Sequence, residues 1–564
     1  MAVLRKVKKR KKHFAATSSV AAEQSPWRPL YVEKRAPCQD ECPNGEDVRG
    51  FLQYIAQAED YERSIEESLN GAFRIIAETN PFPSSTGRVC PHPCENSDTG
   101  CNRNFKEGAV NINACEMYVG DWAIKNNLKL TKLTEETRDQ KVAVIGSGPS
   151  GLSAAYQLAR RGFQVTVFEK HQKPGGLLRY GIPGFRLPKS IVDAEIKRIE
   201  DLGVKIRCGV TIGKDITSEE LKNGFDAIYL AIGAYKPNKL RIDGLDNTKG
   251  VFSGAELLYQ YESGKKPDVG SDVVAVGGAS ALDVTALCRR LGAKVTLITL
   301  FESTDFKKFE RELKEASEEG VEFQFAATPK ELVVENGKLV GVKVQKIKVD
   351  ERDERGIPIK FSETDDPPFV IKASALVYNI GQRPDYSGLE KLLDGKTDGF
   401  IKTGGDFSIS EGIYAGGDVA QLMFVTTAIG NGKDAALHIA EKLTGEKFIR
   451  KDERKVIRAE NMHLELYDPE EPRLRNDRTY RSPQERVGDF DTFMNGLSEE
   501  AFLSEVKRCM SCGLCFDCGN CFTYCSHNCV VRLPKGQHFE FHLGSCDGCM
   551  KCYENCPCGY IDRE

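Results

Sequence analysis

The sequence places short apolar runs before glycine-rich turns and amphipathic stretches, and this pattern predicts two strand–turn–helix–strand units. In the first unit, an apolar run at residues 142–145 leads into Gly146-x-Gly148-x-x-Gly151, and a later strand ends at Glu169. Gly146 suits a tight turn, Gly148 a close approach of the backbone to a pyrophosphate, and Gly151 close packing of helix on strand. Glu169 is placed to accept hydrogen bonds from a ribose. We therefore predict a dinucleotide-binding fold here.

A second unit of the same kind lies about 130 residues later, at residues 272–300. At that offset Gly278 corresponds to Gly148, but Val276 falls on the first glycine position, although Gly277 beside it could make the turn. The residues expected to line this second site are Gly277, Gly278, Ala279 and Ser280. Two such folds in tandem predict one site for a flavin and one for a nicotinamide.

The end of the second unit bears on which nicotinamide it binds. Thr299 stands where Glu169 stands in the first unit, with Glu302 close behind and no arginine at the strand end. A 2′-phosphate is usually accommodated by an arginine, and an acidic side chain would repel it. The sequence therefore favours NADH over NADPH as the ligand of the second unit. The alternative is that this second fold is vestigial and binds no nucleotide.

Eight cysteines near the C-terminus form two runs with three-residue steps followed by a longer one. They are Cys515, Cys518, Cys521 and Cys525, then Cys546, Cys549, Cys552 and Cys556. This is the spacing of two-cluster ferredoxins, in which the fourth cysteine of each run binds the other cluster. Zinc is the alternative, but it needs only two pairs of ligands. We predict two [4Fe–4S] clusters, although Cys509 and Cys512 extend the first run and leave another choice of ligands open.

Composition narrows the class of protein. The 564 residues suffice for three or four domains, and the net charge of −4 gives no reason to expect nucleic-acid binding. Most of the 20 cysteines lie in two terminal groups with metal-ligand spacing, which indicates a reducing compartment and favours the cytoplasm. No uninterrupted apolar window is long enough to span a membrane. The strongly basic residues 1–13 lack an apolar segment after them, so we interpret them as a disordered tail or a docking arm.

Four further segments resemble the flavoprotein family of the glutamate synthase small subunit. They are residues 175–188, 231–234, 379–385 and 413–418, which read GGLLRYGIPGFRLP, AIGA, NIGQRPD and IYAGGD. The resemblance implies FAD as the bound flavin. The positions that it implies for the flavin and its surroundings are Gly176, Leu177, Gly181, Ile182, Gly233, Gly381, Gly417, Asp418 and Ala428.

In this family an N-terminal helical domain carries [4Fe–4S] clusters, and the resemblance extends to that stretch. It implies that Cys42, Cys90 and Cys94 bind the cluster nearest the flavin, with Glu116, or the adjacent Cys115, as the fourth ligand.

Two cysteines of this domain match ligands of the family's other N-terminal cluster. They are Cys38 and Cys101, but the Cys-x2-Cys that should precede Cys38 is missing. A cube normally needs four ligands. We therefore expect one N-terminal cluster, with Cys38 and Cys101 as leftovers or as alternative ligands to it.

The expected fold is α/β, with tandem Rossmann-like domains between an α-helical iron–sulfur domain and an α+β ferredoxin-like domain. The expected boundaries are a basic tail at 1–30, the helical domain at 31–137, the FAD domain at 138–262 and 380–447, the nicotinamide domain at 263–379, a connector at 448–500 and the ferredoxin-like domain at 501–564.

The resemblance implies an oxidoreductase subunit that passes electrons between NAD(H) or NADP(H), FAD and [4Fe–4S] clusters. Its partner would be a 2-oxoacid oxidoreductase or a ferredoxin, within a hetero-oligomer. The charged connector and the terminal module depart from the glutamate synthase small subunit, which stays as an alternative. A non-enzymatic redox-sensing scaffold is the alternative of another class.

Overall fold

The computed structural model describes residues 25–305, 310–353, 356–395, 397–448, 452–468, 471–534 and 536–564. Most of the predicted basic tail therefore lies outside the described residues. Its last residues differ from the prediction, because strand β1 (Pro29–Tyr31) begins inside the segment expected to be disordered. Among the described residues, no helix is both long and apolar enough to cross a membrane.

The N-terminal region after β1 is helical, as predicted. Its helices are α1 (Pro37–Glu41), α2 (Val48–Ala56), α3 (Ile65–Ala77), α4 (Pro83–Val89), α5 (Pro93–Asn96) and α6 (Ile112–Lys125). Ser64 and Glu67 start α3 with a reciprocal capping box, which satisfies two N–H groups that a helix end leaves free. The apolar faces of α2 and α3 meet through Phe51, Leu52 and Phe73, all almost fully buried.

The first glycine-rich unit forms part of a parallel sheet. Its elements are β2 (Lys141–Ile145), α7 (Pro149–Ala159), β3 (Gln164–Glu169), α8 (Leu177–Tyr180), α9 (Lys189–Glu200), β4 (Lys205–Cys208), α10 (Ser218–Gly224), β5 (Ala227–Leu230) and β6 (Lys236–Pro237). Strand β2 lies between β3 and β5, with both pairings parallel. Parallel pairing on both sides explains why β2 is an almost continuous apolar run.

The second unit forms another parallel sheet with an antiparallel sheet beside it. Its elements are β7 (Val251–Ser253), α11 (Gly254–Glu262), β8 (Asp272–Gly277), α12 (Ala281–Arg290), β9 (Lys294–Ile298), α13 (Glu310–Glu318), β10 (Val321–Gln324), β11 (Ala327–Glu335), β12 (Lys338–Arg352), β13 (Pro358–Glu363), β14 (Phe369–Lys372) and β15 (Ala375–Asn379). The parallel order is β10-β9-β8-β15-β7, and β11 to β14 make the antiparallel sheet. Because β7 pairs with β15, this sheet takes in residues before the expected boundary at 263.

The chain then returns to the first sheet. The returning elements are β16 (Gln382–Arg383), β17 (Ser408–Ser410), β18 (Ile413–Ala415) and α14 (Val425–Thr444). Strand β16 pairs with β6, so the outgoing and returning segments cross between the two sheets side by side. The completed first sheet has the order β17-β18-β5-β2-β3-β4.

The C-terminal region packs back on the earlier domains. Its elements are β19 (Thr479–Tyr480), α15 (Pro483–Gly488), β20 (Met494–Gly496), α16 (Glu499–Val506), α17 (Asn520–Tyr524), β21 (Val530–Arg532), β22 (Phe539–Phe541), α18 (Lys551–Glu554) and β23 (Ile561–Arg563). Phe493 of the connector enters the core of the second sheet's domain. The last strand, β23, pairs antiparallel with β1, so the first and last described strands belong to one sheet.

A fully buried ion pair fixes α16 and the residues after it on the helical domain. The Arg508 guanidinium donates to the Glu505 carboxylate at 2.6 Å and to the carbonyls of Gly108 and Ala109 at 2.7 and 2.9 Å. Glu505 in turn accepts a hydrogen bond from the Asn111 N–H at 2.8 Å. Neither side chain of the pair is exposed to solvent. Residues of two distant parts of the chain, 505–508 and 108–111, are thus joined at one point.

We expect Arg508→Met to lower the free energy of unfolding by about 3–5 kcal/mol, because it leaves Glu505 buried without its cation. Denaturant unfolding would measure the change. The control is Lys507→Met, whose side chain is 43% exposed and pairs with Glu59 at 3.6 Å. A surface pair of this kind contributes about 0–1 kcal/mol. Equal effects of the two substitutions would contradict the role given to Arg508.

Candidate functional site

One large cavity of about 1900 Å³ is lined by residues of both parallel-sheet domains. Single small-molecule pockets are about 300–1,000 Å³, so this one has room for two dinucleotides. The predicted site residues on its wall are Gly146, Gly148, Glu169, Gly176, Leu177, Gly181, Ile182, Gly233, Gly277, Gly278, Ala279, Ser280, Gly381, Asp418 and Ala428. Gly151 and Gly417 are not on the wall.

The three glycines of the first turn are needed for different physical reasons. A Cβ on Gly146 would lie 2.4 Å from the Ala231 carbonyl oxygen, and one on Gly151 would lie 2.1 Å from the Gly146 oxygen. Both positions therefore allow close packing of backbone on backbone. A Cβ on Gly148 meets nothing closer than 4.0 Å, so a side chain there would enter the cavity. At Gly148 the lack of a side chain therefore leaves space for a ligand, whereas at Gly146 and Gly151 it leaves space for neighbouring backbone.

The start of α7 is suited to an anion. Gly148 is its N-cap and supplies no side chain to bond the first N–H groups of the helix. Free N–H groups and the helix dipole bind a phosphate at such a position. The residues present therefore fit the pyrophosphate of FAD.

Glu169 is held in place at the end of β3. One carboxylate oxygen accepts hydrogen bonds from the Ser147 N–H at 3.0 Å and from its hydroxyl at 2.5 Å, while the other accepts from the His171 N–H at 2.8 Å. The side chain is buried at the cavity wall. This fixes an acceptor beside the glycine turn, where a ribose hydroxyl is expected.

The second turn uses the alternative glycine. Gly277 ends β8, and a Cβ on it would lie 2.4 Å from the Asn379 carbonyl oxygen, as a Cβ on Gly146 would from that of Ala231. Gly277 therefore takes the place of the first glycine, and Val276 stays in the strand. Beside it, a Cβ on Gly278 would lie 2.9 Å from the Phe301 ring. The turn is intact, so this feature does not support a vestigial fold.

Two polar groups on the wall carry distinct chemistry. Burial raises the pKa of Asp418 to about 6, against a hydrogen bond from the Met423 N–H that lowers it. Tyr235, which sequence reasoning missed, also lines the cavity, and its buried hydroxyl has no partner among the described residues. That hydroxyl lies near Gly176, since a Cβ there would be 3.6 Å from it.

A basic side chain that the local sequence did not indicate lies close to the residues that follow β9. Arg352, at the end of β12, lies 3.0 Å from the carboxylate of Asp305 and 3.7 Å from that of Glu302. Glu302 is therefore partly neutralised rather than a free negative charge. Asp305 lines the cavity, so an arginine stands close to its nicotinamide side.

The structure brings the predicted flavin-side cluster ligands together next to this cavity. Burial, and then the thiols of Cys42 and Cys90, raise the pKa of Cys94. Burial raises the pKa of Cys90, with the Glu116 carboxylate adding to the effect. The flanking residues Val89 and Pro91 line the cavity. A cluster on these thiols would lie directly beside the flavin.

The fourth ligand of the cluster at Cys42, Cys90 and Cys94 was expected to be Glu116 or Cys115, and the two residues have different neighbours in the structure. Glu116 lies beside Cys42 and Cys90, whereas Cys115 has Glu505 and Glu95 as its charged neighbours. A second carboxylate, Glu46, was not anticipated. It is the charged group that most affects Cys42, and Asn80 donates to both Glu46 and Glu116, at 2.9 and 2.8 Å.

Cys38 and Cys101 are grouped apart from the flavin-side ligands, although Cys38 also lies near Cys94. They line a separate small cavity together with Cys509 and Cys512. The expectation that they are leftovers or alternative ligands to the first cluster therefore does not match their placement. Sequence reasoning could not pair them, because more than 400 residues separate Cys101 from Cys509.

The C-terminal cysteines form two groups, and Cys556 of the second run lies with the first group. Burial, and then the thiols of Cys518, Cys515 and Cys556, raise the pKa of Cys521.

The other triplet forms the second group. Burial, and then the thiols of Cys549 and Cys546, raise the pKa of Cys552 to about 12. Cys529, whose N–H donates to the Cys525 sulfur at 3.1 Å, is also close to Cys546. The placement of Cys556 with the first run matches the two-cluster spacing, and the place of Cys525 in the second group stays a prediction.

The spacing of the sulfurs bears on which metal they could hold. A tetrahedral zinc with bonds of 2.3 Å holds its sulfurs about 3.8 Å apart. Among the described residues, no three cysteine sulfurs lie within 4.8 Å of one another. The cysteine sulfurs among the described residues therefore do not form a three-sulfur set as close as a zinc ion requires.

Comparisons with known proteins agree with this arrangement. The model of the pyridine nucleotide-disulphide oxidoreductase family matches residues 140–432, and that of dihydropyrimidine dehydrogenase domain II, 4Fe-4S cluster, matches residues 6–128. The chain is 30% identical to the NADP(+)-dependent formate dehydrogenase subunit beta of Moorella thermoacetica, over 88% of this chain and 73% of that one.

The similarity to two other relatives also extends over most of the length of each relative. The chain is 31% identical to the NADPH-Fe(3+) oxidoreductase subunit beta of Geobacter sulfurreducens, over 86% of this chain and 76% of the relative. It is 30% identical to the glutamate synthase [NADPH] small chain of Escherichia coli, over 71% of this chain and 87% of the relative.

We expect Gly148→Val to yield folded protein without FAD, because the new side chain occupies the space for the pyrophosphate. Flavin absorbance per mole of purified chain is the measurement. Gly224→Val is the control, since a Cβ on Gly224 meets nothing within 4 Å and the residue does not line the cavity. Full FAD occupancy in Gly148→Val would refute the assignment of this turn.

We also expect FAD affinity to depend on the ionisation of Asp418. Its pKa of about 6 in the empty site should fall when flavin hydroxyls donate to the carboxylate. Binding then favours the ionised form, so affinity weakens as the pH drops through 6, by up to about tenfold per pH unit. Calorimetric titration of apoprotein between pH 5 and 8 (about the stable range) measures it. Asp418→Asn should bind FAD more weakly and lose this slope; an unchanged slope would sink the idea.

Proposed function

We propose that this chain, which belongs to the pyridine nucleotide-disulphide oxidoreductase family, moves electrons between a nicotinamide dinucleotide and a partner protein. It is an electron-transfer oxidoreductase of the FAD and iron–sulfur type, similar to the glutamate synthase small chain. The observation that carries the proposal is the shared cavity: both glycine turns line it, and so do Val89 and Pro91 on either side of Cys90.

The chain's own residues supply binding and orientation. When bound, FAD would take up two electrons together from reduced nicotinamide and release them singly to iron–sulfur clusters. Gly148 and the start of α7 would hold the pyrophosphate, Glu169 a ribose, and Asp418 the ribityl chain. Gly277 and the start of α12 would hold the nicotinamide dinucleotide facing the same cavity. The cavity wall at Pro91 keeps the path from flavin to Cys90 short.

The choice between NADH and NADPH rests on two opposing observations. Glu302 at the end of β9 disfavours a 2′-phosphate. Arg352 beside it offers a cation for one, and three relatives are named for NADP(+) or NADPH. The experiment below therefore uses both nucleotides.

The C-terminal module would exchange electrons with the partner. Cys518 and Cys549 are exposed, one in each cysteine group, so both proposed clusters come close to the surface. Relatives named as a subunit beta or a small chain support a partner subunit. A 2-oxoacid oxidoreductase or a ferredoxin would be a suitable low-potential partner for the electrons of this module. The twenty free cysteines fit a reducing compartment, and the cytoplasm is our proposal for it.

The test is an anaerobic absorbance titration with NADH and, separately, with NADPH. We expect one nucleotide to bleach the flavin band and then the broader iron–sulfur absorbance. In Cys549→Ser we expect bleaching of the flavin to persist while part of the iron is lost, because the changed ligand is in the terminal group. Cys208→Ser, outside every cysteine group, is the control and should behave as the unchanged chain.

The outcomes separate the candidate functions. No bleaching by either nucleotide in FAD-loaded protein would refute the proposal and favour a relay or sensing scaffold. Loss of flavin bleaching in folded, FAD-loaded Cys549→Ser would show that the order of carriers is wrong. Copurification with a glutaminase-bearing large subunit would favour the glutamate synthase small subunit.

A further inference from the structure

Four cysteines from opposite ends of the chain line one small cavity of their own. Cys38 is in α1, Cys101 follows α5, and Cys509 and Cys512 form a Cys-x2-Cys just after α16. All four cysteines lie around this one cavity, although Cys38 and Cys101 are more than 400 residues away from Cys509 and Cys512 in the sequence. None of the four is in a disulfide.

Specific hydrogen bonds hold the C-terminal pair in this place. The Arg49 guanidinium donates to the Cys512 carbonyl and to the Lys34 carbonyl, each at 2.8 Å. The Gln53 side chain donates to the Cys509 carbonyl at 3.0 Å. The Arg103 guanidinium donates to the Arg508 carbonyl at 2.7 Å. Residues on both sides of the Cys-x2-Cys are therefore bonded to the helical domain.

Two buried cations on the cavity wall have unused donors. Arg49 and Arg103 line the cavity with side chains only 3% and 2% exposed. The Nε–H group of each has no hydrogen-bond partner among the described residues. A buried donor without an acceptor costs about 1–3 kcal/mol, more for a charged group. Such donors indicate that an anionic group with acceptor atoms belongs in the cavity.

We propose that Cys38, Cys101, Cys509 and Cys512 bind a [4Fe–4S] cluster in addition to the one at Cys42 and the two of the C-terminal runs. Four thiolates complete the coordination that the cube needs. The two guanidinium groups offset its negative charge and donate to its sulfur atoms. The Cys-x2-Cys missing before Cys38 is replaced by one that reaches the same cavity from the other end of the chain.

The position of this site completes a path. Cys38 and Cys42 are four residues apart at α1, about 6 Å along a helix axis. Cys512 and Cys515 are separated by two residues, so the site also adjoins the first C-terminal group. A cluster held by these four cysteines would supply one-electron transfer between the Cys42 group and the Cys515 group. This role rests on the proposed function; the binding of the cluster does not.

Counting metal tests the site directly. After anaerobic reconstitution, the unchanged chain should contain about 16 iron atoms, four for each of four clusters. The variant Cys509→Ser with Cys512→Ser should contain about 12, with the same FAD content. Cys208→Ser, a half-buried cysteine in β4, is the matched control and should keep the full iron content.

Native mass spectrometry of the unchanged chain keeps the test decisive if the double variant does not fold. A mass with four clusters supports the proposal. Three results would each overturn it. The fully reconstituted chain could contain only three clusters, the double variant could keep all its iron, or the unchanged chain could hold one zinc that the double variant lacks. None of these measurements uses a nicotinamide. A four-cluster chain that fails to bleach with NADH or NADPH would therefore refute the proposed function alone.

Discussion

The arrangement of the whole chain depends on how the residues around 505–513 are held on the N-terminal helices. Arg49, Arg103 and Arg508 are all buried, and each donates to backbone carbonyls from a distant part of the sequence. Carbonyl acceptors neutralise no charge, so the carboxylate of Glu505 is needed beside Arg508. Breaking one such buried pair costs about 3–5 kcal/mol, whereas an exposed pair contributes about 0–1 kcal/mol. The position of the C-terminal module follows from these few side chains.

That docking also decides where electrons can go. The large cavity lies against the Cys90 loop on one side, and the helical domain lies between it and the C-terminal cysteines. Helix α1 carries Cys38 in its first turn and ends just before Cys42, so one short helix contacts two cysteine groups. Neither the N-terminal nor the C-terminal region alone contains all the cysteine groups along this path. In the proposed function, the nicotinamide side and the partner side would thus be connected through the helical domain rather than through the Rossmann-like sheets.

Local patterns predicted the glycine turns, the parallel sheets and the placement of Cys556 with the first C-terminal run, because the residues involved are close in sequence or repeat at fixed spacing. Gly277 was within reach of the same reasoning, since a glycine beside the degenerate position could make the turn. Arg352, Glu46 and the partners of Cys38 were not predictable. Each acts through a contact set by strand register or by domain docking, and a single sequence does not reveal which distant residues will meet.

The pairing of β1 with β23 has a consequence for the order of events during synthesis. Ribosomes add about 5–20 residues per second, so Cys101 leaves the ribosome about 20–80 s before Cys509 and Cys512. During that interval the helical domain has only half of the ligands of its second cysteine group, and β1 has no strand to pair with. A cluster at that group could therefore be completed only after Cys509 and Cys512 have been synthesised.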